Sequence, residues 1–260
     1  MIELSIADGV AEIVLDAPYK LNALDETALV DLSDAYDAAA AAASAGTVRA
    51  LLIRGEGRAF CAGRDIVGVD GANDDARRYL EGLLTPLLQK VAAFPAPTFG
   101  AAQGACLGVG LGLLIATDVV YVAENAKFGS PFGNLGATLD SGGHWLFTER
   151  LGAHRTLDLI YSSELMSGAD AVAAGLFSRA KPAEDLLDFT RAAAAKAAAG
   201  PTQAFNASKT LVAQIRDRRL GLWDAVVLEN AAQVALSKTV DYAEGFAAFT
   251  AKRKPEFRGQ

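Results

Sequence analysis

Apolar and polar positions alternate from Ile2 to Ile6 and again from Val10 to Leu15, and the two runs flank Asp8-Gly9. A period of two around such a dipeptide predicts a β-hairpin. A loop carrying Pro18 follows, and the period then changes. Asp25 is placed to cap a helix that runs through the alanine-rich stretch to about Ser44, where Gly46 ends it. Val48 to Arg54 reads as a short buried strand, closed by the turn Gly55-Glu56-Gly57. Phe60 to Gly71 has no clear period. Asn73 or Asp74 can cap a helix through Leu88 to Ala93, which Phe94-Pro95-Ala96-Pro97 breaks. Thr98 to Ala102 predicts a strand, Val109 to Ala116 a helix of small residues, and Val119 to Ala123 another strand. Strands alternate with helices up to about residue 130, which is the pattern of the α/β class.

Beyond about residue 144 the signals are helical. They cover His144 to Leu151, Thr156 to Tyr161, Ala169 to Ala174, Leu186 to Ala199, Thr202 to Arg216, Leu220 to Ser237 and Val240 to Lys252. Gly200-Pro201 is the best boundary, because proline suits the start of a helix. The chain thus divides into a core, residues 1–200, and a helical extension, residues 201–260. No repeat of 20–50 residues is visible.

Composition narrows the function classes. The net charge is −7, and an acidic surface argues against general nucleic-acid binding, which needs Lys and Arg to displace counterions. Two cysteines, Cys61 and Cys106, with no Cys/His cluster, argue against a metal site or a disulfide framework. A reducing, cytoplasmic setting is expected. The N-terminus lacks a basic, then apolar leader, and no apolar run is long enough to span a bilayer.

Three glycine-containing segments can carry chemistry. Arg58-Ala59-Phe60-Cys61-Ala62-Gly63-Arg64-Asp65-Ile66 follows a strand and can present backbone N–H groups. Gly104 to Gly112 leads into a helix, whose first N–H groups can hold an anion. Tight helix packing is the plain alternative for this segment. A dinucleotide fingerprint with Glu124 as its acid is disfavoured, because the spacing is not GxGxxG. The third segment, Leu139-Asp140-Ser141-Gly142-Gly143-His144-Trp145, sets an acid at the head of a helix. Asp140 can be an N-cap or a functional acid. Cys61 has no histidine neighbour, so a cysteine nucleophile is disfavoured.

Taken in order, Lys20-Leu21-Asn22-Ala23-Leu24, Arg58 to Ile66, Gly104 to Gly112, Thr117-Asp118, Ala126-Lys127-Phe128-Gly129, Gly142-Gly143 and Phe249 to Phe257 resemble the enoyl-CoA hydratase/isomerase (crotonase) family over nearly the whole chain. The resemblance implies an α/β spiral of ββα units. It also implies a C-terminal region that builds a homotrimer, or a dimer of such trimers. The implied substrate is an acyl-CoA thioester, with coenzyme A as part of the substrate and no separate cofactor. Two backbone N–H groups would hold the thioester enolate, and matching assigns them to Ala62 and Val109. Ala62, Gly63, Arg64 and Asp65 match the CoA-contact stretch. Lys20, Lys252, Lys254 and Phe257 match positions near the nucleotide end of CoA, although a solvated basic tail also fits the last three.

The resemblance also bears on the reaction. Family hydratases use two glutamates, and the matching positions here hold Gly112 and Phe132, neither of which exchanges a proton. Asp140 instead resembles the acid of the epoxyphenylacetyl-CoA isomerase branch, as does Asp241-Tyr242-Ala243-Glu244-Gly245. Leu139 and His144 depart from that branch. An isomerase is therefore expected, with Asp140 moving a proton, and with Glu149 or His144 as open candidates for assistance. Hydration and non-catalytic thioester binding are the alternatives. Nucleophilic attack by Asp140, as in the dehalogenase branch, is disfavoured because Ala93-Phe94-Pro95 occupies the region of the required histidine.

Overall fold

The computed structural model describes residues 1–260. Strands β1 (Ile2–Ala7) and β2 (Val10–Leu15) form the expected antiparallel hairpin. Asp8 and Gly9 both have positive φ, at 50° and 79°. A two-residue turn of the primed type requires this, and its twist matches that of the strands. Helix α1 (Glu26–Ser44) begins where Asp25 accepts a hydrogen bond from the Ala28 N–H at 2.8 Å. It carries the chain to β3 (Ala50–Gly55), which pairs in parallel with β2. β4 (Thr98–Ala102), β5 (Val119–Ala123) and β8 (Arg179–Lys181) extend the sheet in parallel, in the order β1-β2-β3-β4-β5-β8. Leu51, Leu52 and Ile53 are fully buried in succession. A parallel strand covered on both faces produces this continuous apolar run.

The connection from β3 to β4 is helical from residue 76. It includes a π-helical stretch, Arg78–Leu84, that continues as α2 (Thr85–Ala92). Asp75 accepts from the Arg78 N–H at 2.9 Å, so the helix is held by Asp75 and not by Asn73 or Asp74. The short α3 (Val109–Ile115) joins β4 to β5.

Past β5 the helical expectation holds for α4 (Gly143–Leu151), α5 (Ala153–Ser162), α6 (Gly168–Ala173) and α7 (Ala183–Ala198). Three short strands go unsignalled in the sequence. β6 (Lys127–Gly129) and β7 (Leu165–Ser167) form a small antiparallel pair, and β8 joins the main sheet. Three residues are too few to show a period, so only tertiary pairing defines these strands. α7 lies against β3, β4 and β5 and completes the core.

Helices α8 (Thr202–Arg218), α9 (Leu222–Leu236) and α10 (Val240–Thr250) follow. α8 buries no residue and α9 only Ala225, while Leu222, Trp223, Val227, Val234 and Phe249 are exposed. Arg49 ties this region to the core. It donates to the Thr202 hydroxyl (3.0 Å), to the Phe257 carbonyl (3.0 Å) and to the Gly200 carbonyl. No helix is long and apolar enough to cross a membrane.

Candidate active site

Two loops meet above the ends of β3 and β4, and a buried asparagine sets the first of them. Asn22 (φ 58°) accepts from the Ala17 N–H at 2.8 Å and donates to the carbonyls of Glu56 (3.0 Å) and Ala59 (2.8 Å). This holds loop 16–24 against the segment leaving β3. Ala62 N–H then donates to the Leu21 carbonyl at 2.9 Å, Leu24 N–H to Gly63 (2.9 Å) and Asp65 N–H to Leu24 (3.0 Å). The Ala62 N–H is thus already engaged, and its expected role as an oxyanion donor is corrected. The N–H groups of Gly63 and Arg64, one and two residues further on, meet no acceptor in the chain.

The second loop packs on the first through glycines. A Cβ at Gly63 would lie 3.2 Å from the Leu107 carbonyl, and one at Gly110 would lie 2.4 Å from the Cys61 carbonyl. Leu107 N–H donates to that same Cys61 carbonyl at 3.1 Å. The small residues of this segment therefore serve close packing, the plain reading of the sequence. They also set a helix start beside Gly63. α3 begins at Val109 with no side-chain cap, which leaves the Val109 N–H without an intrahelical partner.

Both loops line one cavity of about 590 Å³, together with Asp140. Ile66, Leu80, Phe132 and Leu135 supply apolar wall. Asp140 does not cap α4. The N-cap is Gly142 (φ 89°), and the Gly143 N–H donates to the main-chain carbonyl of Asp140 at 2.9 Å. The carboxylate instead accepts from the Ser141 hydroxyl at 2.7 Å. Burial pushes its pKa above the ordinary carboxylate value, while the Ser141 hydrogen bond and the charges of Arg64 and His144 pull it down. A carboxylate raised by desolvation is a stronger base than a solvated one.

The other expected contacts are only partly brought together. Gly63 and Arg64 line the cavity, but the Arg64 guanidinium is held by Asp74 through two hydrogen bonds (2.8 and 2.6 Å) and lies 4.4 Å from the Tyr79 ring centroid. Lys20 pairs with Asp25 (3.1 Å) and Asp65 (2.9 Å), and neither Lys20 nor Asp65 lines the cavity. Lys252 and Lys254 are exposed. Phe257 lines a different cavity, of about 370 Å³, between α8, α9 and α10. In one chain these tail residues are not assembled with Asp140.

Glu149 pairs with Arg219 (3.1 Å) and His144 is exposed, so neither contacts the Asp140 carboxylate. Cys61 is buried and its thiol is pushed up to about 12, consistent with packing and not with nucleophilic work. No group of three His, Cys, Asp or Glu side chains is placed to hold a metal ion. The sequence reading offered Asp74 only as a helix cap and missed its contact, and that of Tyr79, with Arg64. It also missed the unengaged N–H groups of Gly63 and Arg64, which only the Ala62–Leu21 contact reveals.

Comparison with known proteins agrees with this geometry. Residues 5–260 match the family described as Enoyl-CoA hydratase/isomerase. A Rhodobacter capsulatus protein named "Probable enoyl-CoA hydratase" is 34% identical, covering 100% of this chain and 98% of its own. The 1,2-epoxyphenylacetyl-CoA isomerase of Escherichia coli is 30% identical, covering 98% of this chain and 97% of its own. The crystal structure of an enoyl-CoA hydratase from Bacillus anthracis superposes with a TM-score of 0.89 at 26% identity, covering 100% of this chain and 99% of that one. Sequence, fold and cavity agree: the chain has the crotonase fold and belongs to the enoyl-CoA hydratase/isomerase family.

Proposed function

We propose that this protein is an acyl-CoA isomerase in which Asp140 moves a proton on the acyl chain while two backbone N–H groups hold the thioester enolate. The observation that carries the reading is Asp140, the one carboxylate of the cavity not paired with a cation, since the other, Asp74, is bound to the Arg64 guanidinium. Asp140 lies there with the unengaged N–H groups of Arg64 and Val109, and positions 112 and 132 hold Gly and Phe. Deprotonation next to a thioester places negative charge on its carbonyl oxygen. A fixed donor aimed at such an oxygen contributes about 2.7–4 kcal/mol in the transition state. The donor pair proposed is therefore Arg64 and Val109. A single carboxylate can take the proton from one carbon and return it to another, because the enolate survives between the two steps.

The substrate is a CoA thioester whose acyl part fits an apolar wall: a 3-enoyl chain or a ring epoxide of a phenylacetyl group. Coenzyme A is part of the substrate, and the reading calls for no metal or redox cofactor. Residues 201–260 are proposed to pack against further copies in a homotrimer, with their exposed apolar side chains at the contact. Assembly of this kind is also the route by which Lys252, Lys254 and Phe257 could meet CoA. Hydration is the second reading, favoured by the hydratase name of the Rhodobacter relative. It needs an acid to activate water, and Gly112 and Phe132 supply none.

The test is to offer 3-enoyl-CoA, 2-enoyl-CoA and epoxyphenylacetyl-CoA thioesters to the purified protein and to resolve products by mass spectrometry. Isomers with unchanged mass, lost in Asp140→Asn, are expected. A product heavier by one water, formed equally by both proteins, would establish hydration instead.

A further inference from the structure

We propose that Ser141 is a positioning residue for the Asp140 carboxylate, and that Gly112 is the seat that holds it in place. The proposal rests on the reading of Asp140 as the acid–base group and assigns the neighbours that aim it. The Ser141 hydroxyl donates to Asp140 Oδ1 at 2.7 Å, and no other side-chain or amide donor reaches that carboxylate from elsewhere in the chain. Ser141 has φ 56°, in the left-handed region that serine rarely adopts. The turn is closed by the Gly143 N–H donating to the Asp140 carbonyl. A serine kept in this conformation is held there by its surroundings.

The surroundings are α3. A Cβ at Gly112 would lie 2.6 Å from the Ser141 Cβ and 2.9 Å from the Ser141 carbonyl oxygen. The absence of a side chain at 112 is what lets the acid-bearing turn settle on the helix. A glutamate at 112 and the present Asp140 turn therefore exclude each other sterically. Position 112 does more than lack an acid: it supports the turn that carries another.

The charged and titratable groups facing Asp140 are Arg64 from the first loop, Tyr79 from the helical segment before α2, and His144 from α4. None of them donates a hydrogen bond to it. Loss of the Ser141 hydroxyl removes a hydrogen bond that favours the ionised carboxylate, so the pKa should rise and the acid limb of the rate profile should move to higher pH.

The experiment measures kcat and KM against pH for wild type, Ser141→Ala, Ser141→Gly and Gly112→Ala, with a 3-enoyl-CoA thioester as probe. Ser141→Gly relieves the backbone conformation and so separates the hydroxyl from folding. Both Ser141 variants are expected to move the acid limb of kcat up by about one unit, with KM little changed. Gly112→Ala, which pushes the turn, is expected to do the same. An acid limb that stays in place in Ser141→Ala and Ser141→Gly overturns the proposal, as does a fall in rate that is uniform across pH. Asp140→Asn is run alongside. Wild-type turnover in that variant defeats the acid–base reading itself, whereas a dead Asp140→Asn beside unshifted Ser141 variants defeats only this inference.

Discussion

Two hollows of similar size lie in this protein, and they differ in what their polar groups are doing. The one holding Asp140 measures about 590 Å³, and the one between α8 and the start of β4 about 720 Å³. In the larger hollow the charges are matched. Lys209 lies 3.0 Å from Asp118 and also donates to the Phe94 carbonyl, while Asp118 accepts from the Thr98 N–H. In the smaller one a half-buried carboxylate is held by a serine hydroxyl and no cation, and the N–H groups of Gly63, Arg64 and Val109 have no acceptor. Matched buried charges hold a fold together. Unmatched donors beside a desolvated acid weaken it and make sense only when a ligand supplies the missing partner.

The comparison breaks most sharply at Asp140. Asp140→Asn is expected to lower kcat about 10²–10⁴-fold, the usual contribution of a placed acid–base group, with thermal stability kept or raised. A steady-state assay together with a melting curve checks both. Next comes one of the two donors. Val109→Pro removes a single N–H at the first helical position, where proline is tolerated. Its expected cost is about 10²–10³ in kcat, with near-normal far-UV circular dichroism. An unchanged kcat would exclude that N–H as a donor.

The other hollow should respond in the opposite way. Lys209→Met is expected to lower stability by about 1.5–3 kcal/mol in urea titration, while kcat and KM stay near wild type. A large loss of kcat without loss of stability would erase the contrast between the two regions.

The smallest effect concerns pH. The folded Asp140 has a raised pKa, so between the unfolded value and the raised folded value the native state binds more protons than the unfolded one. Stability from this group is then lost as pH rises through that window. The melting temperature of Asp140→Asn should exceed that of wild type near neutrality, and the gap should close as pH falls toward the unfolded carboxylate value of 3.8. A gap that widens in acid would show that Asp140 is stabilised as an anion.

The regular half of the fold was legible because its elements carry their own signals. Asp8-Gly9 marks the hairpin, Asp25 caps α1, and the apolar runs of β3 and β5 are long enough to read. β6, β7 and β8 were not legible, since three residues carry no period. The site was half legible. Asp140, and the Ala62 and Val109 that family matching assigned, all line the cavity. Only the tertiary bond from Ala62 to Leu21 shows that the free amides are those of Gly63 and Arg64. The partners of Arg64 and the seat of Ser141 at Gly112 depend on contacts between distant segments, which no local pattern encodes.

The central claim is that Asp140 transfers a proton at the acyl carbons of a CoA thioester. The most direct test incubates wild type and Asp140→Asn with 3-enoyl-CoA and phenyl-substituted acyl-CoA thioesters in deuterated water and follows mass and double-bond position. The account predicts deuterium uptake or double-bond movement with wild type and neither with Asp140→Asn. Equal behaviour of the two proteins would contradict it and leave Asp140 without a part in the chemistry.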